Sequence, residues 1–413
     1  MSTIGIIAIG SRGDVAPLTG LGVRLQEAGH RVIVVAYAAF NDLVTFCGLE
    51  FRGLDDHAAD LSDVAPREAA KAMAAFFAPS GMRALGEDVL VALRDEPLDL
   101  LMLSPFAELV GHPLAEALDI PSVGVRLQPL SATADHPPAV LGAWSAGSYG
   151  NKSAARLAEA VIDRLYNKTV NGFRDELGLP KASARALRRR RTEAQWPILY
   201  GYSPTVLPRP ADWRPGIDVV GYWWPARPAG WQPPADLADF LQAGPAPVVI
   251  GFGSTVNSKA EAERLSDLVT QAVRAADARG VIQAGWAGLD VSGDDVIAVG
   301  DVPHDWLFPH AAAVVHHCGA GTAAAGLRAG VPTVSVPAGY GDQPFWARRL
   351  FELGVGPAPI SQRRLTVDAL AAAIREALSQ SRFKDNAQRL AHALDAEDGA
   401  GKVVQIVELT MAR

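Results

Sequence analysis

Short apolar runs alternate with amphipathic stretches of helical length through most of the 413 residues. In the first part of the chain the runs IGIIAI, RVIVVAY, LDLLML and PSVGV are continuous enough in Ile, Val and Leu to be strands buried on both faces. Between the first two, VAPLTGLGVRLQEAGH sets Leu18, Leu21 and Leu25 three and four residues apart, a helical spacing, and Gly29 marks the end of that helix. This is a strand-helix-strand unit of a parallel sheet. A second series follows in APVVIGFGS, RGVIQAGW, DVIAVGD, AAVVHHCG and VPTVSVP, separated by helix-like segments such as KAEAERLSDLVTQAVRAAD. The pattern predicts an α/β fold of two doubly wound, Rossmann-like domains facing a cleft, with ligands beyond the carboxyl ends of the strands.

Between the two series lies SPTVLPRPADWRPGIDVVGYWWPARPAGWQPP, whose prolines and tryptophans forbid a long helix and favour a semi-rigid connector. The expected division is residues 1–205 for the first domain, 206–230 for the linker, 231–395 for the second domain, and 396–413 for a C-terminal helix crossing back. At this length each domain is expected to have its own core. Closure of the cleft, with the connector as hinge, is the expected motion.

Composition narrows the classes. With 49% apolar and 20% charged residues the chain is not of disordered type, and a net charge of −7 without a basic field argues against nucleic acid as the main partner. The run RALRRRRTE, with Arg185 and Arg188 to Arg191, reads as a solvated helix or loop face, with docking to anionic lipid as the alternative. Cys47 and Cys318 are too few for a disulfide framework or a zinc site, which fits a reducing cytoplasm. The first apolar stretch has no preceding Lys or Arg and spans only about eight residues, so neither a signal peptide nor a membrane span is expected there.

Two loops carry candidate chemistry. GSRGDVAP follows the first strand like a phosphate-binding loop, yet Asp14 would repel a phosphate. Either Asp14 caps the helix or something other than phosphate sits beside it. In the second series, AAVVHH runs into Cys-Gly-Ala-Gly-Thr and a helix of small residues. Gly319 and Gly321 let the backbone approach an anion, and the free N–H groups of the helix start would point at it. A diphosphate suits this site, with His317 and Thr322 as side-chain donors and Gly253 and Ser254 in GFGST as a second set of contacts. The structural alternative is a tight turn with its histidines in the core.

The run from Val302 to Gln343, with Pro303, Leu307, His310, His317-Cys318-Gly319, Gly330-Val331-Pro332, Pro337 and Asp342-Gln343, resembles the donor-binding signature of family 1 glycosyltransferases. With GSRGDVAP and SPTVLPRPADW…GYWWP added, the chain is most similar to the branch of sterol glucosyltransferases and glycopeptide-antibiotic glycosyltransferases. The resemblance is weakest over residues 55–100 and 130–195.

It implies a GT-B fold in which the second domain holds a nucleotide sugar and the first receives the acceptor. His317 and Thr322 would contact the diphosphate, and Asp342 and Gln343 the sugar hydroxyls. Ser11, Gly253, Ser254, Val302, Gly319 and Gly321 complete the donor site. Asp301 stands where the plant signature has Trp, and His304 where it has Gln, so Trp286 becomes the candidate base platform, with core packing as its alternative. Asp14 is the implied general base, with helix capping as its alternative. His112 is a second candidate proton handler, its alternatives being capping or acceptor contact.

The implied activity is inverting, metal-independent transfer of a hexose from UDP-glucose or a dTDP-sugar to a hydroxyl of a hydrophobic small molecule such as a sterol, polyketide or macrolide. No further cofactor is required, and no Asp-x-Asp motif follows a strand to bridge a metal. Less regular segments around 55–90 and 128–150 would shape the acceptor pocket, with Phe76, Phe77, Trp144 and Tyr149 as lining and Met73 and Met82 as further candidates. Two rivals remain at this point: a nucleotide-sugar epimerase of the same architecture, and a noncatalytic auxiliary protein.

Overall fold

A computed structural model describes residues 1–55, 71, 74–228, 230–253, 259–284 and 292–412. Ser254, Trp286 and Met73 lie outside the described residues. The first sheet holds β1 (Thr3–Ile7), β2 (Arg31–Tyr37), β3 (Glu50–Leu54), β4 (Leu100–Leu103), β5 (Ser122–Arg126), β6 (Ile198–Tyr200) and β7 (Ile217–Val219). Its order is β3-β2-β1-β4-β5-β6-β7, and every pairing is parallel. The second holds β8 (Val248–Gly251), β9 (Gly280–Gln283), β10 (Ser292–Gly293), β11 (Val296–Val299), β12 (Ala313–His316) and β13 (Thr333–Ser335). Its order is β10-β11-β9-β8-β12-β13, parallel except for the short β10/β11 pair. The predicted α/β architecture of two doubly wound sheets is what the chain adopts.

Strand order reverses between β1 and β4 in the first sheet and between β8 and β12 in the second. Loops diverge at such points and leave a crevice for ligands. GSRGD follows β1, Gly253 follows β8, and His317-Cys318-Gly319 follows β12. Topology alone therefore puts both chemistry-bearing loops at crevices.

Three features depart from the expectations. Strand β7 lies inside the segment assigned to the linker, so the first sheet continues to Val219. Beyond it the connector is fastened rather than loose. The Ala226 N–H donates to Thr19 Oγ1 (3.1 Å), and a Cβ on Gly20 would overlap the Trp224 carbonyl. Residues 79–93, placed in a less regular segment, form helix Pro79–Leu93, because Met82, Leu85, Val89 and Leu93 recur at helical spacing and are all buried. Nor are the cores separate. The buried cluster around the first sheet continues through Ala323, Leu327, Phe345, Trp346 and Leu350 of the second half, then Val403 and Val407 of helix Gly399–Met411. That helix packs against helix Arg12–Glu27, and Arg24 pairs with Asp398 at 3.1 Å. The second sheet keeps two further clusters, built on Val248, Leu265 and Ile374 and on Val249, Leu307 and Phe308.

Candidate active site

β1 delivers the chain to Gly10, whose φ of +150° and whose missing Cβ both matter, since a side chain there would overlap the Asp14 carboxylate. Ser11 then caps helix Arg12–Glu27 in an extended conformation. Its N–H and Oγ–H donate to Asp14 Oδ2 at 2.8 and 3.0 Å, a reciprocal cap at the helix start. The other oxygen, Oδ1, faces the Gln128 amide nitrogen at 3.4 Å, delivered by the loop after β5. Burial raises the Asp14 pKa above the usual carboxylate value, against the opposing pull of the Ser11 and Gln128 bonds. Asp14 is thus a cap through one oxygen while the other remains presented to the cleft.

Across the cleft, His317 leaves β12 with its imidazole wedged between two glycines. A Cβ on Gly253, itself at φ +64°, would overlap the ring, and one on Gly319 would come within 2.6 Å of Nε2. Burial holds the His317 pKa down at about 4, against the opposing pull of the Gly251 backbone, so the ring is neutral at pH 7. Gly319 caps helix Ala320–Ala329 with no side chain to close the end. Helix geometry leaves the N–H groups of Ala320, Gly321 and Thr322 without intrahelical acceptors. Gly321 is exposed and Thr322 half-buried, so both stay open to a ligand. Open amide dipoles beside one uncharged imidazole form an arrangement that can receive an anion.

Asp342 and Gln343 open helix Gln343–Glu352. Trp346 Nε1–H donates to Asp342 Oδ2 at 2.9 Å, and the Ala338 N–H to Gln343 Oε1 at 2.8 Å, which leaves the Gln343 NH2 group to donate. Burial, and next the charge of Asp14, push the Asp342 pKa up to about 6. That coupling puts the Asp14 and Asp342 carboxylates within electrostatic reach of each other. Arg12, two residues before Asp14, pairs with Asp301 at 2.7 Å and joins the two lips directly.

Several expectations change. The Val302 carbonyl is already occupied, accepting Gln283 Nε2–H at 2.9 Å, while Gln283 Oε1 accepts from His304 Nε2 at 3.1 Å. His112 packs edge-on against Trp196 with ring centroids 4.5 Å apart and lies 3.9 Å from Glu108, and burial lowers its pKa. None of these contacts reaches Asp14, so a proton-handling role for His112 has no support in this geometry. Phe76 and Phe77 are brought together and extended by rings the sequence reading did not include, in the chain Tyr37, Phe76, Phe77, Phe106 with centroids 6.4, 5.0 and 5.2 Å apart. Tyr37 ends β2 and Phe106 follows β4, so this aromatic wall stands on the carboxyl edge that carries Asp14. Met82 is core. Trp144 turns its Nε1–H onto the Leu141 carbonyl at 2.8 Å and Tyr149 is 88% exposed, so neither joins that wall.

Comparison with known proteins bears on this arrangement. Residues 268–409 match the family described as Erythromycin biosynthesis protein CIII-like, C-terminal domain, and residues 4–82 the Glycosyltransferase family 28 N-terminal domain. The O-mycaminosyltylonolide 6-deoxyallosyltransferase of Streptomyces fradiae is 33% identical over 98% of this chain and 96% of its own length. The chain belongs to this glycosyltransferase family. A sterol 3-beta-glucosyltransferase of Arabidopsis thaliana is 34% identical over 97% of the chain, which spans 64% of that relative's length. The glycosyltransferase of kitacinnamycin superposes over 99% of both chains at TM-score 0.73 with 18% identity, and the calicheamicin glycosyltransferase over 100% and 99% at 0.72 with 20%. These two establish the shared GT-B fold of the glycosyltransferase.

Two outcomes test the donor side. Gly319→Ala suits the local backbone (φ −60°, ψ 145°) but displaces His317, so nucleoside diphosphate affinity measured by calorimetry should fall about tenfold or more with the fold retained; unchanged affinity would remove His317 from the cradle. Asp342 takes a proton as pH falls through about 6, so donor sugar affinity should weaken there, and Asp342→Asn should flatten that dependence. The stability sign is opposite. The folded chain holds this proton to higher pH than the unfolded chain, so Asp342 makes the fold less stable as pH rises from about 4 to about 6.

Proposed function

We propose that this chain transfers a hexose from a nucleoside diphosphate sugar to a hydroxyl of an apolar small molecule, with inversion at the anomeric carbon. The observation that carries the reading is the pair of facing loops: an uncharged anion cradle at the second sheet's crevice and a carboxylate with raised pKa at the first's. In this reading residues 1–205 receive the acceptor, 231–395 hold the donor, and the connector and C-terminal helix tie the two together.

The diphosphate lies on the N–H groups of Ala320, Gly321 and Thr322 with His317 and the Thr322 hydroxyl donating to its oxygens. Asp342 accepts from sugar hydroxyls and the Gln343 amide donates to one. The acceptor rests on the Phe76, Phe77 and Phe106 wall with its hydroxyl at Asp14 Oδ1. As that oxygen attacks C1, its proton passes to Asp14, and the C1–O bond to the β-phosphate breaks with the electron pair leaving on the nucleoside diphosphate. Direct displacement by one nucleophile inverts C1. The relatives include a sterol 3-beta-glucosyltransferase and an O-mycaminosyltylonolide 6-deoxyallosyltransferase, which supports a hydrophobic alcohol as acceptor and a hexose or deoxyhexose as the sugar moved.

Incubation with UDP-glucose or dTDP-glucose and a panel of sterols, macrolactones and polyketide alcohols, followed by mass spectrometry, should give an acceptor-dependent glycoside. Donor turnover that ignores the acceptor would favour an epimerase or hydrolase instead. Asp14→Asn should lower kcat by about 10²–10⁴-fold with nucleotide affinity little changed; near-normal turnover would end the assignment. Gln128→Leu removes a bond that lowers the Asp14 pKa, so the acidic limb of kcat/KM should move to higher pH.

A further inference from the structure

Helix Gly147–Glu176 buries Ala155, Tyr166, Thr169 and Phe173 on one side, packed against helices Pro79–Leu93 and Glu108–Leu118. Its other side is apolar where an outer helix face is ordinarily polar. Leu157, Val161 and Leu165 recur every fourth residue as one ridge and are 66%, 57% and 45% exposed, with Ile162 beside them. Tyr149 continues that spacing one turn beyond Ser153, which accounts for an exposed tyrosine that the acceptor wall does not use.

The charges on this side have one sign. Arg156, Arg164 and Lys168 are exposed, and no described carboxylate pairs with them. The only carboxylates of the helix between Gly147 and Lys168 are Glu159 and Asp163, and both are drawn aside to Arg188, at 3.0 and 2.8 Å. A chain of net charge −7 thus keeps a cationic, apolar strip along one surface helix.

We propose that the Leu157–Leu165 face of this helix docks the protein on an anionic lipid bilayer. Leucine, valine and isoleucine side chains enter the boundary between headgroups and acyl chains, while Arg156, Arg164 and Lys168 extend their charged ends to the headgroup phosphates. A bilayer matches both features at once, a flat apolar layer beneath a sheet of negative charge, and the uncompensated cations complement it. The arginine run of helix Ala184–Glu193 is not this surface: Arg188 is spent on Glu159 and Asp163, and Arg189 on Glu193 at 2.7 Å.

The test is sedimentation with vesicles, which needs no turnover and so stands or falls apart from the catalytic reading. The wild-type protein should sediment with equimolar phosphatidylglycerol and phosphatidylcholine, and not with phosphatidylcholine alone. Val161→Asp with Leu165→Asp should abolish binding, and Arg156→Gln, Arg164→Gln and Lys168→Gln together should weaken it by about two orders of magnitude. All five positions are exposed, and circular dichroism checks that the variants fold. Failure of the wild type to bind anionic vesicles overturns the proposal. So does binding lost in an Arg189→Gln, Arg190→Gln variant but kept in the helix variants. Gel filtration showing a dimer that Val161→Asp dissociates would assign the face to a second copy of the chain instead.

Discussion

An α-helix that begins where a parallel strand ends presents backbone N–H groups with no acceptor of their own, and something must answer them. This fold meets that constraint in two opposite ways. At the end of β1 the chain places its own carboxylate: Asp14 accepts from the Ser11 N–H and hydroxyl, and its negative charge at the helix start disfavours an anionic ligand. At the end of β12 the cap is Gly319, which has no side chain to offer, and the end of helix Ala320–Ala329 stays open for an anion from outside. In the proposed function the same local geometry serves as a proton acceptor on one lip and a leaving-group cradle on the other. Which lip does which is decided by a single cap residue and the carboxylate behind it.

Burial then sets the protonation states that such a division requires. His317 and His304 are both held near pKa 4, so the cradle is uncharged before the ligand arrives. A neutral imidazole N–H bonds a phosphate oxygen less strongly than a cation would, which suits the proposed release of a nucleoside diphosphate product. The carboxylates are pushed the other way. Burial makes Asp14 and Asp342 each less willing to ionise than in water, with the hydrogen bonds of Ser11 and Trp346 limiting the rise. A layer of sugar hydroxyls between them would separate the two charges.

Much of this was legible in the sequence because it depends on short-range pattern. The strands β1, β2, β4, β5, β8, β9, β11, β12 and β13 come from continuous apolar runs, and the cradle from glycines at fixed offsets after β12. Strand β3 was missed because EFRGL is only partly buried at a sheet edge, and β6 and β7 because they follow Pro197 and Pro215-Gly216 in or beside a connector whose prolines and tryptophans mask short apolar runs. The partners of the candidate-site residues were invisible for a different reason. Gln128 meets Asp14 across 114 positions, and Arg12 meets Asp301 across almost 300, so no local spacing could announce either contact. His112 shows the converse limit of local pattern. It follows a strand-like run, but helix Glu108–Leu118 turns it toward Trp196 and Glu108 instead of the cleft.

The contacts between the two halves are graded along the cleft, and the gradient favours opening from the lip. At the base, Tyr202 packs edge-on against Trp346 at 5.8 Å within a cluster that runs unbroken from one half into the other. Separating those rings would expose apolar surface at about 25 cal/mol per Å². At the lip the direct link is Arg12 to Asp301, with the two side chains 42% and 69% exposed, and a pair so open to solvent contributes about 0–1 kcal/mol. Parting the lip therefore costs little while parting the base costs much. A swing about the base would open the cleft without breaking the shared core. The connector does not supply that freedom by itself, because Arg328 of the second half stacks on Trp224 at 4.4 Å while Thr19 of the first half holds the Ala226 N–H. Opening is therefore expected at the edge that carries both loops.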